Sequence, residues 1–201
     1  MAAMSSVLLP LPEWLDDRLA AAPLLASAAE RMDWVLDLLA EGLQAGCGPF
    51  AAAVFERDSG RPVAVAVNRV LGSGLAIAHA ELMALTFAQA RLKRHDLGAP
   101  DLPGHTLVSS SAPCLMCLGA VLWSGVGELV CAAEHEDARA LGFDEGPLPA
   151  NWAQELARRG IGVQRQLRRE RAQALLRAYA DAGGVIYNGR LGRAERAGDR
   201  I

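Results

Sequence analysis

The apolar residues Leu25, Ala29, Met32, Leu36 and Leu39 recur at three- and four-residue spacing, which predicts an amphipathic helix over 24–44. The run Gly46-Cys47-Gly48-Pro49 stops it. Phe50–Arg57 and Pro62–Val70 read as strands joined by the turn Asp58-Ser59-Gly60, a hairpin. A glycine-rich loop, Leu71-Gly72-Ser73-Gly74, leads to a helix over 77–94, and Thr106–Ser110 reads as a short buried strand. Pro113 opens a helix to about Ser124, because the first helical position needs no amide donor. Then come a strand at 128–133, a loop with a short helix at 134–151, a helix at 152–159, a strand at 161–167 and a helix at 170–182, ended by Gly183-Gly184. Helices alternating with strands imply an α/β fold, one sheet covered by helices.

The 201 residues divide into a proline-punctuated arm at 1–23, one compact domain at 24–188, and a Gly/Arg-rich tail at 189–201 expected to be partly mobile. With 52% hydrophobic and 21% charged residues the chain is not a disordered one. Its four cysteines are too few for a disulfide scaffold. The N-terminal MAAMSSVLLPLPEWLDD has no basic segment, and Pro10 and Pro12 interrupt its apolar stretch. Neither a signal peptide nor a membrane span of roughly 18 apolar residues is expected, so the predicted setting is cytoplasmic, with no membrane partner. A net charge of −3 argues against a nucleic-acid partner. The arginines at 158, 159, 165, 168, 169, 171 and 177 could still form a basic face, although such a run is usually the solvated side of a helix.

The chemistry concentrates in His79-Ala80-Glu81 and, some thirty residues later, Pro113-Cys114-Leu115-Met116-Cys117. Cysteines three apart on a helix project from one face, and in a first turn the helix dipole favours thiolate. His79, Cys114 and Cys117 make three zinc ligands, leaving the fourth position to water, the composition of a catalytic site rather than a closed structural one. Glu81 would stand beside that water and shuttle its protons. H-x-E followed by P-C-x-x-C is the signature of zinc deaminases. Cys47 and Cys131 lack the spacing to join the site and read as small apolar residues, and His95, His105 and His135 read as surface residues.

Over residues 48–188, about 140 of the 201, the chain resembles bacterial guanine deaminases of the cytidine deaminase-like superfamily, and within them the branch that also acts on s-triazines such as ammeline. The resemblance is carried by Gly-Pro-Phe at 48–50, Asn-Arg-Val at 68–70, HAELMAL at 79–85, PCLMCLGAVLW at 113–123, GFDEGP at 142–147 and GGVIYN at 183–188. It implies a three-layer α/β/α fold with a five-stranded mixed sheet, one Zn2+ per chain held by His79, Cys114 and Cys117, and hydrolysis of guanine to xanthine and ammonia. Glu81 is then the proton carrier, and Glu145 a second catalytic carboxylate with Asp144 as its rival. On the substrate side stand Asn68, Ala80, Phe50, Trp123, Asp144 and Tyr187: Asn68 as the base-binding amide, Trp123 as a pocket wall, Phe50 as a stacking ring, and Tyr187 in a tail that closes the site of its own or a partner subunit. A homodimer is also implied. Asn68 could equally make a strand-end turn, and Trp123 could be core. The chain departs from its relatives at Ala112, where they have Glu or Ser, and before His79, where it lacks their Asp-Pro-Thr.

Three other functions share parts of this pattern. Adenosine deamination on tRNA shares HAE and PCxxC, nucleoside deamination (guanosine or cytidine) uses the same chemistry, and a zinc-stabilised interaction module would use the ligands without the glutamate.

Overall fold

The computed structural model describes residues 9–189. Most of the 189–201 tail, and with it the mobility expected there, lies outside the described residues. The elements are α1 (Trp14–Ala20), α2 (Ala28–Gln44), β1 (Gly48–Glu56), β2 (Pro62–Asn68), α3 (Val70–Ser73), α4 (Ala80–Leu92), β3 (His105–Ser111), α5 (Leu115–Ser124), β4 (Glu128–Ala133), α6 (His135–Arg139), α7 (Trp152–Arg158), β5 (Gly162–Gln164) and α8 (Arg169–Asp181). The five strands form one sheet in the order β2-β1-β3-β4-β5. β1 runs antiparallel to β2 and β3, while β3, β4 and β5 are parallel. This is the three-layer α/β/α arrangement with a five-stranded mixed sheet that the resemblance implies.

The alternation of a pleated strand explains the three layers. Ala52, Val54, Ala64, Ala66, Leu107, Leu129 and Cys131 face one core, shared with α4, α5 and α7. Ala51, Ala53, Phe55, Val65, Val67, Val108, Val130 and Ala132 face the other, shared with α2 and α8. Both faces are covered, so the central strands read as continuous apolar runs. Cys47 and Cys131 are buried among them, and burial pushes the Cys131 thiol up to about 12. Among the described residues no helix is long and apolar enough to cross a membrane.

Local departures from the expected elements have local causes. α2 begins at Ala28 because Ser27 and Glu30 form a reciprocal capping box. The segment expected as an arm contains α1, which packs on β2 and whose Leu15 is buried in the core shared with α2. The glycine-rich loop folds into the single turn of α3, and β5 keeps only three residues because Gln166 and Arg168 adopt positive φ just beyond it. Helix α5 starts two residues later than the proline suggests, with Cys114 as its N-cap.

The arginine run is largely neutralised by carboxylates, most of them from distant parts of the chain. Arg165 pairs with Glu134, Arg168 and Arg171 with Asp33, Arg171 also with Asp37, Arg169 with Asp137, and Arg158 with Glu155. Five of the seven expected basic residues are thus engaged in ion pairs, and the side expected to be basic is a mixed-charge surface. Asp137 accepts from Arg169 at 2.8 and 2.9 Å and from Gln173 at 2.8 Å, binding α6 to α8. Arg169 holds its carboxyl at about 2, below the usual 3.8. The folded-state pKa is depressed, so this pair stabilises the fold above pH 3.8 and loses that contribution as pH falls towards 2. Thermal midpoints measured between pH 5 and 2 should therefore fall less steeply in Asp137→Asn than in the parent.

Candidate active site

Two helix N-termini meet above the sheet. His79 is the N-cap of α4 and Cys114 the N-cap of α5, with Cys117 at the third position of the same turn. The His79 Nδ1 atom lies 3.5 Å from the Cys114 sulfur and 3.6 Å from the Cys117 sulfur, and the three donor atoms fall within 4.8 Å of one another. A tetrahedral zinc, with bonds of about 2.0 Å to nitrogen and 2.3 Å to sulfur, separates such atoms by about 3.5 Å. The donor triangle fits the ion in both spacing and chemistry, and among the described residues it is the only such cluster of three.

Electrostatics agree with a metal-ready site. The Cys117 thiol, helped by His79 and the Cys117 amide, draws the Cys114 thiol down to about 4 against its burial. The paired Cys117 moves upward, driven first by Cys114 and then by burial, so the pair retains one proton that a divalent ion would release. Glu81, at the second position of α4, is 5% exposed, and burial followed by the Cys114 charge pushes its carboxyl up to about 7. Glu145 is 6% exposed, and burial, Cys114 and Glu81 push it up to about 8. Two carboxyl groups in one apolar enclosure resist full ionisation, the usual condition for acid–base work near neutrality.

A cavity of about 220 Å³ joins these groups, lined by His79, Glu81, Cys114, Glu145, Ser111 and Ala112 below and by aromatic residues at the side. Phe50 meets Phe143 edge-on at 5.2 Å, and Phe143 meets Tyr187 at 5.3 Å, giving a continuous aromatic wall. Tyr187, Asn188 and Gly189 line the cavity of their own chain. Asn188 donates to the Gly142 carbonyl at 2.7 Å and accepts from the Asp144 amide at 2.9 Å, pinning Tyr187 beside the site.

Of the substrate-side residues expected from sequence, Phe50, Asp144 and Tyr187 line this cavity. Asp144 is exposed, and its carboxylate accepts from the Gly146 amide at 2.9 Å in a local turn, which leaves Glu145 as the buried acid. Asn68, 1% exposed, is not part of the cavity lining and makes the strand-end turn considered for it. Its Oδ1 accepts from the Val70 amide at 3.1 Å, opening α3, and this fixes the amide so that its Nδ2 is a donor with no partner in the protein. Ala80 is buried and does not line the cavity. Trp123 does not line it either: it is 85% exposed at the end of α5, opposite the inward-facing Cys117, Leu118 and Val121, so within one chain it is neither pocket wall nor core. Phe143 provides the wall instead. His105 and His135, expected at the surface, are buried, the first accepted by the Leu97 carbonyl and the second by the Pro113 carbonyl.

Three contributors escaped the sequence. The Ser111 hydroxyl is buried at the cavity without a partner, and only its place before Ala-Pro-Cys hinted at this. Asn188 is the pin described above. Gly48 pairs with Asn68 across the β1–β2 register, and a Cβ there would sit 2.6 Å from the Tyr187 hydroxyl and 2.7 Å from the Asn68 Oδ1. Glycine is what lets the Asn68 amide and the Tyr187 hydroxyl approach each other. Gly48→Ala must displace both side chains, so kcat/KM should fall by on the order of 10²-fold with metal content unchanged. Steady-state kinetics beside metal analysis check this.

The cytidine and deoxycytidylate deaminase zinc-binding region matches residues 27–133. The guanine deaminase of Bacillus subtilis is 40% identical over 108 residues, a match spanning 54% of this chain and 65% of that enzyme, slightly under two thirds. The solved guanine deaminase from Nitrosomonas europaea is 49% identical and superposes with a TM-score of 0.85 over 88% of this chain and 97% of that one. A mutant of NE0047 solved with 8-azaguanine is 48% identical, with a TM-score of 0.87 over 90% and 98% of the two chains. Signature, ligand geometry and overall superposition agree, and the chain belongs to the cytidine and deoxycytidylate deaminase family, within its guanine deaminase group.

Proposed function

We propose that this chain hydrolytically deaminates guanine, yielding xanthine and ammonia. The observation that carries the proposal is the buried Glu81 sharing one small cavity with His79 and Cys114 of the His79–Cys114–Cys117 triangle and with a second buried acid, Glu145. His79, Cys114 and Cys117 would hold one zinc ion per chain, which would supply the Lewis acidity that makes water a nucleophile at neutral pH. Glu81 would take one proton as the water oxygen adds to C2 and pass it to a ring nitrogen, then take the remaining hydroxyl proton and deliver it to the amino group, so that the C2–N bond breaks, ammonia departs and the C2 carbonyl forms. Glu145 holds the ring edge and assists that transfer. Asn68 donates its unpartnered Nδ2 proton to an acceptor of the base, and Phe50 and Phe143 fix the ring plane. The Tyr187 segment excludes water while the reaction runs.

The cavity of about 220 Å³ lies below the range of roughly 300–1,000 Å³ for drug-sized ligands, which favours a free base or a triazine over a nucleoside. The ion-paired arginines weigh against a tRNA substrate. The four unpaired cysteines suit a reducing, cytoplasmic setting, and conversion of guanine to xanthine would place the reaction in purine breakdown. A homodimer is part of the same proposal, supported by the exposed Leu115, Met116 and Trp123 on α5. Ammonia release from guanine, ammeline and guanosine by zinc-loaded protein tests the substrate assignment. Turnover is expected on guanine and, through its shared amino-amidine geometry, on ammeline, whereas release from guanosine alone would overturn it.

A further inference from the structure

The turn 112–114 delivers a metal ligand with little polar support of its own. Ala112 has no polar side chain and Pro113 has no amide hydrogen. The turn is fixed by the Ala112 amide donating to the Ala133 carbonyl at 2.8 Å, by the Leu115 amide donating to the Glu145 carbonyl at 3.0 Å, and by one side chain, His135, whose Nε2 lies 2.9 Å from the Pro113 carbonyl. A carbonyl only accepts, so the Nε2 of His135 carries the proton and donates.

His135 is itself held rigidly. It is 5% exposed, and its ring stands edge-on to Trp152 at 5.4 Å and 77°. The Arg165 guanidinium lies 5.4 Å from the Trp152 ring centre, and both its Nε and Nη2 donate to Glu134, the residue before His135. This closed chain of contacts runs from the end of β4 through α7 and the segment after β5, and it terminates on the carbonyl of the peptide that leads into Cys114.

From this geometry we infer that His135 is a positioning residue for the metal-binding turn. By holding the Pro113 carbonyl it fixes the orientation of the 113–114 peptide, and so the direction in which Cys114 presents its sulfur towards His79 and Cys117. It supplies the support that Ala112 does not. The inference rests on the proposed zinc site, because a sulfur needs orienting only if something binds there. Partners one bond removed from a metal ligand typically contribute 10–100-fold in metal affinity.

The test uses the full chain in three forms: parent, His135→Phe, which keeps the ring against Trp152 without the donor, and His135→Gln, which keeps a donor. Zinc affinity is read by chelator competition and site geometry by the visible spectrum of the cobalt-substituted protein. Folding is checked by circular dichroism. The expected result is about 10–100-fold weaker zinc binding and altered cobalt bands in His135→Phe, with substantial recovery in His135→Gln. A folded His135→Phe that binds zinc within twofold of the parent overturns the inference, as does a glutamine variant no better than phenylalanine, since the loss would then lie in packing. If His135→Phe does not fold, Trp152→Leu replaces it, and zinc affinity equal to the parent's again overturns the inference. A parent protein that binds neither zinc nor cobalt would instead overturn the metal site itself.

Discussion

Glu81→Ala keeps its zinc and loses roughly 10²–10⁴-fold in turnover on guanine, the span that a positioned proton carrier typically contributes. The size of the expected loss follows from where the carboxyl sits. It is buried, with a pKa of about 7, so near neutrality it exists in both protonation states and can accept a proton and return it without leaving the site. Glu145 does not replace it, because that acid reaches the cavity from the loop after α6 rather than from the α4 N-terminus beside His79. Metal analysis on the same sample separates this outcome from that of a zinc-stabilised interaction module, which would retain everything measurable. Retained zinc with unchanged turnover would remove Glu81 from the mechanism.

Cys114→Ser loses zinc and turnover together, to below about 1% of the parent, because activation of water by a metal is worth several kcal/mol. A serine hydroxyl does not ionise at neutral pH as a thiol with a pKa of about 4 does, and one hard neutral oxygen replaces one of two soft anionic ligands. His79 and Cys117 alone leave an incomplete triangle at a site whose remaining thiol moves upward in pKa. Zinc content after dialysis, read beside ammonia release, checks both halves of the expectation. A zinc-replete, fully active Cys114→Ser would contradict the ligand assignment.

Much of the fold could be read along the chain because two periodicities dominate it. The three- and four-residue spacing of α2 and the alternating faces of β1 to β4 are set by backbone geometry that neighbouring residues share. The donor set could be read for a similar reason: H-x-E and C-x-x-C each place their groups within one turn of a helix, and the two halves need only one tertiary contact, between the starts of α4 and α5. What could not be read depends on pairings across the chain. The arginines around α8 meet Asp33, Asp37 and Asp137, and nothing local to 165–171 announces those partners. His135 follows β4, where a loop residue is expected, yet Trp152 from α7 buries it. Gly48 matters only because β1 and β2 pair it with Asn68 and because the C-terminal segment returns with Tyr187. Trp123 is the reverse case. Helical spacing already sets it apart from Cys117 and Val121, on the outer side of α5, and sequence likeness alone pointed it into the pocket.

His79, Cys114 and Cys117 are proposed to hold a zinc ion that, with Glu81, removes the amino group of guanine by hydrolysis. The most direct measurement incubates the purified protein with guanine and quantifies xanthine and ammonia, before chelation, after it, and after zinc is returned. Equal amounts of the two products, abolished by the chelator and restored by zinc, are predicted. Zinc-loaded protein that forms neither product from guanine would contradict the account.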